Sequence, residues 1–425
     1  MKPYLRLCMK TYFQQTNTPD SGSLQVRVTS SQGLIPVRNA KVTISLSSAP
    51  NTILAEETTN EIGRTTPIEL PAPPIEYSLQ PDSPQPYSNY NISVTAEGYA
   101  PVLIEDSELL ANEESIQPIQ MNPLFQGTQQ NDIVIAPHTL YYEYPPKIPE
   151  AEIKPMPDTG EIVLSRVVIP EYIIVHDGLP NNANAKNYYV PYTDYIKNVV
   201  SSEIYATWPE EAIYANTLAI MSFTLNRVYT EWYRNQGYDF TITSSTAYDQ
   251  KWIYGRNIFE NISDIVDSIF NNFLSRPGIS QPIFTAYCDG KRTTCRGLSQ
   301  WGSRYLAEEG YSPIEILRYY YGNDMYINST DYVSGVPSSY PGYVLTRGSR
   351  GEKVGAIQEQ LNRIAQNYPL IPTLDVDGIY GPKTAEAVRI FQGIFNLPQT
   401  GNVDLATWYK ISQIYVGVSR IAEPG

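Results

Sequence analysis

The sequence is short of the residues that most often build metal and nucleophile sites. Three cysteines and two histidines are spread over 425 residues. His138 and His176 lie far from every cysteine in sequence, so a four-ligand zinc site would have to recruit carboxylates. Cys8 stands alone. Cys288 and Cys295 flank an Asp289-Gly290 turn signal. A two-residue turn there does not set them opposite each other, so a bond between them requires a longer loop. Free thiols or a disulfide fit this spacing better than a metal, and neither metal nor cofactor is expected. Charge is also scarce: 17% of residues are charged, with 30 basic against 44 acidic, for a net charge of −14. Such a chain offers no extended basic face, which argues against a nucleic-acid partner. No apolar run approaches the roughly 20 residues of a membrane span. The opening MKPYLRLCMKTYFQQ has neither an uninterrupted apolar core nor a small-residue cleavage site, so no secretory signal is expected.

Tyrosine (35) and proline (34) are abundant. The length allows about two to four domains. After an N-terminal arm (1–21), residues 22–122 read as strands. Leu24, Val26 and Val28 alternate with polar residues, as do Val42, Ile44 and Leu46, then Ile92 and Val94. Prolines at 123, 137, 145, 146, 149, 155 and 157 punctuate residues 123–161. Proline removes backbone donors, so this segment is a linker, or an extended strap over a neighbour, and a place for a protease to cut.

Strand patterning resumes over 162–178 and ends at His176, read as a local hydrogen-bonding residue rather than a catalyst. The next stretch, YIKNVVSSEIYATWPEEAIYANTLAIMSFTLNRVY (195–229), predicts a long helix with Thr207 as N-cap and Pro209 in the first turn. Glu210 and Glu211 suit the positive end of the helix dipole. Ala212, Ala215, Ala219 and Ser222 form a small-residue stripe that admits a close neighbour. Glu203 falls on a short connector before this helix and has no such structural reason. A further helix is expected near 257–274 and a strand over 281–288. Two more helices flank Gly310, the second capped by Ser312 with Pro313 at its first position. Beyond a boundary at 334–342, helices carry Val354, Ile357, Leu361 and Ile364, then Ala385, Val388 and Phe391. Gly378, Gly381 and Thr384 recur as Gly401, Asp404 and Thr407, an internal echo of a turn leading into a helix.

Several of these motifs resemble known families. The phrases LIPVRNAKVTISL, TTNEIGRTT and YNISVTAEGYAPV resemble a carboxypeptidase regulatory-like β-sandwich. The tail (about 344–412), with its DGIYGPKT turn and Phe391-Gln392, resembles a small helical peptidoglycan-binding domain. The centre resembles the stage II sporulation protein D (SpoIID) family of lytic transglycosylases. The matching residues are Ser202-Glu203, Trp208 to Ala212, Gln250 to Gly255, Gly297 to Ser303, and Ile316 to Tyr320. The family's Gly-His-Gly is absent, its place taken by Thr294, Cys295 and Arg296.

These resemblances imply a multi-domain chain: an all-β sandwich (22–122), the Pro-rich strap (123–161), a mixed α/β catalytic domain (162–333), an all-α peptidoglycan-binding domain (340–412) and a tail (413–425). They imply Glu203 as the catalytic acid and later base. Ser299, Gln300, Gln250 and Tyr254 then either contact glycan or cap and brace the helix starts, while Trp301 and Tyr319 to Tyr321 are read as core. The whole layout is similar to the clostridial spore cortex-lytic enzymes. That similarity implies a zymogen in the spore, activated by a subtilisin-like germination protease and acting on cortex peptidoglycan. Alternative readings are an N-acetylmuramoyl-L-alanine amidase and a non-catalytic wall-binding scaffold.

Overall fold

The computed structural model describes residues 19–31, 34–124, 130–142, 144–154, 166–334 and 340–419. Most of the expected N-terminal arm, including Cys8, lies outside these residues, as do 155–161 of the strap and 420–425 of the tail.

Alternating apolar residues build a two-sheet module first. Its strands are β1 (Asp20–Ser30), β2 (Lys41–Leu46), β3 (Ile53–Thr58), β4 (Ile68–Ala72), β5 (Tyr87–Thr95), β6 (Val102–Leu110) and β7 (Glu114–Met121). One sheet places β1 between antiparallel β4 and parallel β7, and the other runs β3-β2-β5-β6. Leu24, Val26, Val28, Val42, Ile44, Ile92 and Val94 all point into the space between the sheets and are buried. The strap contributes β8 (Asn131–Val134), which pairs in parallel with β6.

The central region is mixed. Strands β9 (Tyr172–His176) and β10 (Asn187–Pro191) form a hairpin that leads into helix α1 (Tyr192–Glu203). Helix α2 (Glu210–Tyr229) follows and is buried over most of its length. Then come β11 (Ile242–Thr243), β12 (Ile258–Phe259), α3 (Glu260–Ile269), β13 (Asn272–Ser275), β14 (Tyr287–Cys288), β15 (Leu298–Ser299), α4 (Gln300–Glu308), α5 (Pro313–Tyr321) and β16 (Tyr326–Ser329). The small-residue stripe of α2 does admit close neighbours: Thr285 donates to Ala219 O, and Ser222 Oγ accepts from Leu274 N at 2.7 Å. Ser312 and Glu315 form a reciprocal capping box at the start of α5.

Five local expectations are corrected. Glu203 is not on a connector but ends α1, because Tyr192, Tyr195, Ile196, Val199 and Val200 share one buried helical face. Pro209, not Thr207, occupies the N-cap of α2, and Thr207 instead donates to Ser78 of the sandwich module. The helix expected over 257–274 shrinks to α3. Ile258 and Phe259 pair with β7, and Asn272 to Ser275 pair with β16, so distant strand partners override the local helical period. Of 281–288, only Tyr287–Cys288 is strand, and of 162–178 only Tyr172–His176 among the described residues.

The C-terminal region is helical: α6 (Glu352–Ala365), α7 (Pro382–Ile394) and α8 (Leu405–Ser419), the last continuing past residue 412. Its internal echo has a physical basis. Gln358 on α6 donates to Asp377, Ile379 O and Thr384 and accepts from Gly378 N. Gln392 on α7 makes the equivalent bonds to Thr400, Asn402 O, Thr407 and Gly401 N. Each glutamine clasps the turn that starts the next helix, and both turn glycines have φ of +67°.

The three regions are stitched together. Between sandwich and centre, Arg256 pairs with Glu108 at 2.6 Å, both buried, and Asn257 bonds Glu108 O and Ser115. Between sandwich and tail, Tyr368 donates to Leu34 O, and Arg64 donates to Asn396.

Candidate active site

Glu203 lies at the point where α1, the loop before Lys251 and the start of α4 converge. Its side chain is fully buried. Oε1 accepts from the backbone N–H of Lys251 at 2.7 Å, and Oε2 from Gln300 Nε2 at 3.1 Å. The Tyr287 phenol lies against the same carboxylate. Burial pushes the Glu203 carboxyl above the usual glutamate range, and the nearby Lys147 ammonium and the polar groups around the carboxylate partly oppose that rise. A buried carboxyl with a raised pKa keeps its proton to a higher pH than a free glutamate and can give it up when a neighbouring oxygen needs it.

Two other carboxylates approach the site, and both are already engaged. Asp249 accepts from Arg227 Nε (2.7 Å), Tyr233 OH (2.6 Å), Thr243 N (2.9 Å) and Thr243 Oγ1 (2.7 Å). Asp289 caps the loop after β14, accepting from the amides of Lys291, Arg292 and Thr293. That loop is closed by a Cys288–Cys295 disulfide. It leads into β15, just before which Gly297 is so tightly packed that an added Cβ would lie 1.8 Å from Ala286 O.

The residues singled out in the sequence have different surroundings. Gln300 opens α4 and reaches Glu203, and its Oε1 has no hydrogen-bond partner. Ser299 is the N-cap of α4 and accepts from Gly302 N. Gln250 is fully engaged inside the protein: its Oε1 accepts from Tyr195 and Thr224, and its Nε2 donates to Ile220 O. It therefore braces α1 against α2 from a fully buried position. Tyr254 is 41% exposed and stacks on Tyr188 of β10 at 4.8 Å, which makes an aromatic surface three residues from the Lys251 amide. His176 bonds Asn187 and Leu179 O and stacks on Phe240, a local structural role. Trp301 and Tyr321 are buried, but Tyr319 is 67% exposed, against its reading as core.

The sequence reading missed the strap's part in the site. Tyr144 is buried and Lys147 half-buried in the neighbourhood of Glu203. Thr293 donates to Tyr144 O, Arg292 donates to Leu140 O and Tyr141 O, and Ile148 N donates to Ala247 O. The segment thus bridges the two loops that flank Glu203. Its signal was the aromatic run Tyr141, Tyr142 and Tyr144 among the prolines, an apolar density unusual for a free linker.

Residues 181–268 match the stage II sporulation protein family, SpoIID. This SpoIID region contains α1, α2 and Glu203, while Ser299, Gln300 and the disulfide lie beyond it. Residues 350–411 match the peptidoglycan binding domain family and contain α6, α7 and both glutamine clasps. The two matches support a role at the cell wall, one of them being to a domain family that binds peptidoglycan. No curated protein matches the chain. Among solved structures it is similar to the Bacillus anthracis TIE protein (19% identity, TM-score 0.19, covering 25% of this chain and 18% of that one). It is also similar to 3-chlorocatechol 1,2-dioxygenase from Rhodococcus opacus 1CP (13% identity, TM-score 0.19, covering 26% of this chain and 63% of that one). The chain spans less than two thirds of either protein, and likeness at this level carries no argument about fold or function. No helix among the described residues is long and apolar enough to cross a membrane. Among those residues no cluster of three or more His, Cys, Asp or Glu is placed to hold a metal ion.

Proposed function

We propose that the chain is a lytic transglycosylase that cleaves the N-acetylmuramic–N-acetylglucosamine β-1,4 bond of peptidoglycan, with Glu203 as its acid and base. The observation that carries this reading is the carboxylate inventory. Glu203 accepts two hydrogen bonds, while Asp249 and Asp289 are consumed by structural donors. Glycosidases that use water work with two free carboxyl groups on opposite faces of the sugar. A lytic transglycosylase works with one. Protonated Glu203 gives its proton to the leaving glucosamine O4 as the C1–O4 bond breaks. The muramic O6 then bonds to C1 and gives its proton to the Glu203 carboxylate. No water enters, the product is the 1,6-anhydro sugar, and the enzyme returns protonated. Gln300 orients the carboxyl from one side and the Lys251 amide from the other.

The full layout supports a finer reading: a spore enzyme stored as a zymogen and acting on cortex peptidoglycan. A germination protease of the subtilisin type would cut the N-terminal part away. The buried state of Glu203 beneath the strap supports this, since a groove for polymer needs an open path to its acid. The test compares the intact chain, the chain cut in its strap, and the cut Glu203→Gln variant on purified cortex fragments. Mass spectrometry is expected to find anhydro-muropeptides with the cut wild type alone. Equal release by the intact chain would refute storage as a zymogen, and equal release by Glu203→Gln would refute the assigned acid.

A further inference from the structure

The loop that carries the Lys251 amide has no ladder of its own. Residues 244–251 bend and turn without helix or strand, so their backbone groups are held by whatever lies against them. The second half of the strap supplies those bonds. Ile148 N donates to Ala247 O at 2.9 Å, and Lys147 Nζ donates to Asp249 O at 2.6 Å. Glu150 accepts from both terminal nitrogens of Arg227, at 2.7 and 2.8 Å. Arg227 in turn donates through Nε to Asp249 Oδ1 at 2.7 Å and through Nη2 to Tyr248 O at 3.1 Å. Two residues after Asp249, the Lys251 amide donates to Glu203. A continuous path of hydrogen bonds and loop backbone therefore runs from Glu150 to the carboxylate.

The same half of the strap is fixed to a second wall. Glu152 is bidentate to Arg276, at 2.7 and 2.9 Å, and its carbonyl accepts from Phe284 N. Lys154 is buried, pairs with Glu150 at 2.6 Å and lies 3.6 Å from the centre of the Phe284 ring. Bidentate guanidinium–carboxylate pairs are among the strong hydrogen-bonded contacts. Arg227 is buried, so taking Glu150 away would leave part of its charge uncompensated out of water.

We propose that residues 147–154 are a permanent wall of the active site rather than part of a removable cover, and that Glu150 is a positioning residue that sets the Lys251 amide on Glu203. This rests on the reading of Glu203 as the catalytic acid. It also limits where the chain can be armed. An activating protease hydrolyses one peptide bond, and one water becomes part of the new carboxylate and the new ammonium. That cut has to fall before Lys147, so that Glu150 stays on the fragment that carries Glu203.

Hydrogen exchange of the Lys251 amide in the uncut protein tests the positioning role without turnover. Glu150→Gln keeps the size of the side chain but not its charge, and is expected to speed that exchange about tenfold, the loss of one typical hydrogen bond. Glu152→Gln loosens the strap at Arg276, away from the loop, and is expected to stay near wild type. Unchanged exchange in Glu150→Gln, or an equal rise in Glu152→Gln, overturns the role given to Glu150. In the cut enzyme, Glu150→Gln is expected to lower kcat by about tenfold to a hundredfold with KM near wild type, and Glu150→Asp to recover part of the loss. A rise in KM alone contradicts positioning of the acid. The retained wall is tested by treating the intact chain with a subtilisin-type protease and weighing the peptides of the active fraction after denaturation. Residues 147–154 are expected on the fragment that carries Glu203, and an active fragment that begins beyond residue 154 overturns the proposal. If Glu150→Gln does not fold, these masses decide. Failure of Glu203 as the acid would show as full activity of Glu203→Gln, and it would leave the exchange measurement intact.

Discussion

Replacing Arg227 with methionine tests how the site is held. The guanidinium lies at the centre of a buried network, with Asp249 on one side and Glu150 of the strap on the other. It also packs among the rings of Phe223, Trp232 and Phe284, at 4.8 to 5.1 Å. Deleting one partner of a buried ion pair typically costs about 3–5 kcal/mol, because the other charge stays buried and uncompensated. The lower end applies here. Asp249 keeps Tyr233 and Thr243, Glu150 keeps Lys154, and methionine refills part of the space between the rings. About 3 kcal/mol on a unit of this size lowers the melting temperature by about 6–12 °C. Calorimetry of the intact chain is expected to show that drop in the transition of the central region. Because Asp249 stands two residues before the Lys251 amide that holds Glu203, activity of the cut variant should fall as well. A loss below about 2 °C would refute the claim that this network bears on the fold of the site.

Three further outcomes follow from the same geometry. Burial pushes Glu113 up to about 7, so its neutral form stabilises the folded chain below the ordinary glutamate range, and that contribution is lost as pH rises through about 7. Glu113→Gln is expected to flatten that part of the stability–pH curve in chemical denaturation, and an unchanged slope would contradict it. Gly297→Ala forces a methyl against Ala286 O and displaces β15 and Gln300. Activity of the cut enzyme should fall about a hundredfold, the usual effect of a misplaced catalytic contact, and wild-type rates would count against the placement of Gln300. Gln358→Ala and Gln392→Ala each strip a clasp of four hydrogen bonds and should each cost about 2–4 kcal/mol in thermal melts. A neutral result at either glutamine would refute the equivalence of the two turns.

Much of the architecture was legible because its signals are local. Alternation at Leu24, Val26 and Val28 marks a half-buried strand, and Ser312-Pro313 with Glu315 marks a helix start. What was not legible depends on partners far away in the chain. Ile258 and Phe273 continue a helical period on either side of α3, yet each joins a strand whose partner lies more than fifty residues off. Glu203 stood out because no local rule explained it, although its place at the end of α1 became clear only from the buried face of that helix. The glutamine clasps were invisible because the echo was sought in the turns, whereas the residues that hold them sit on the preceding helices. Lys147 was hidden by composition. Proline density reads as linker, and nothing within the strap reveals that its lysine enters a site built from residues fifty to a hundred and fifty positions later.

Solvent oxygen gives the most direct test of the proposed chemistry. The strap-cut enzyme is run on cortex peptidoglycan in water enriched in the heavy oxygen isotope, and the new chain ends are weighed by mass spectrometry. Attack by the muramic O6 predicts anhydro ends that carry no solvent oxygen and weigh one water less than a hydrolysed end. Reducing ends that carry the heavy oxygen would show that water is the nucleophile, and the one-carboxylate account of Glu203 would be wrong.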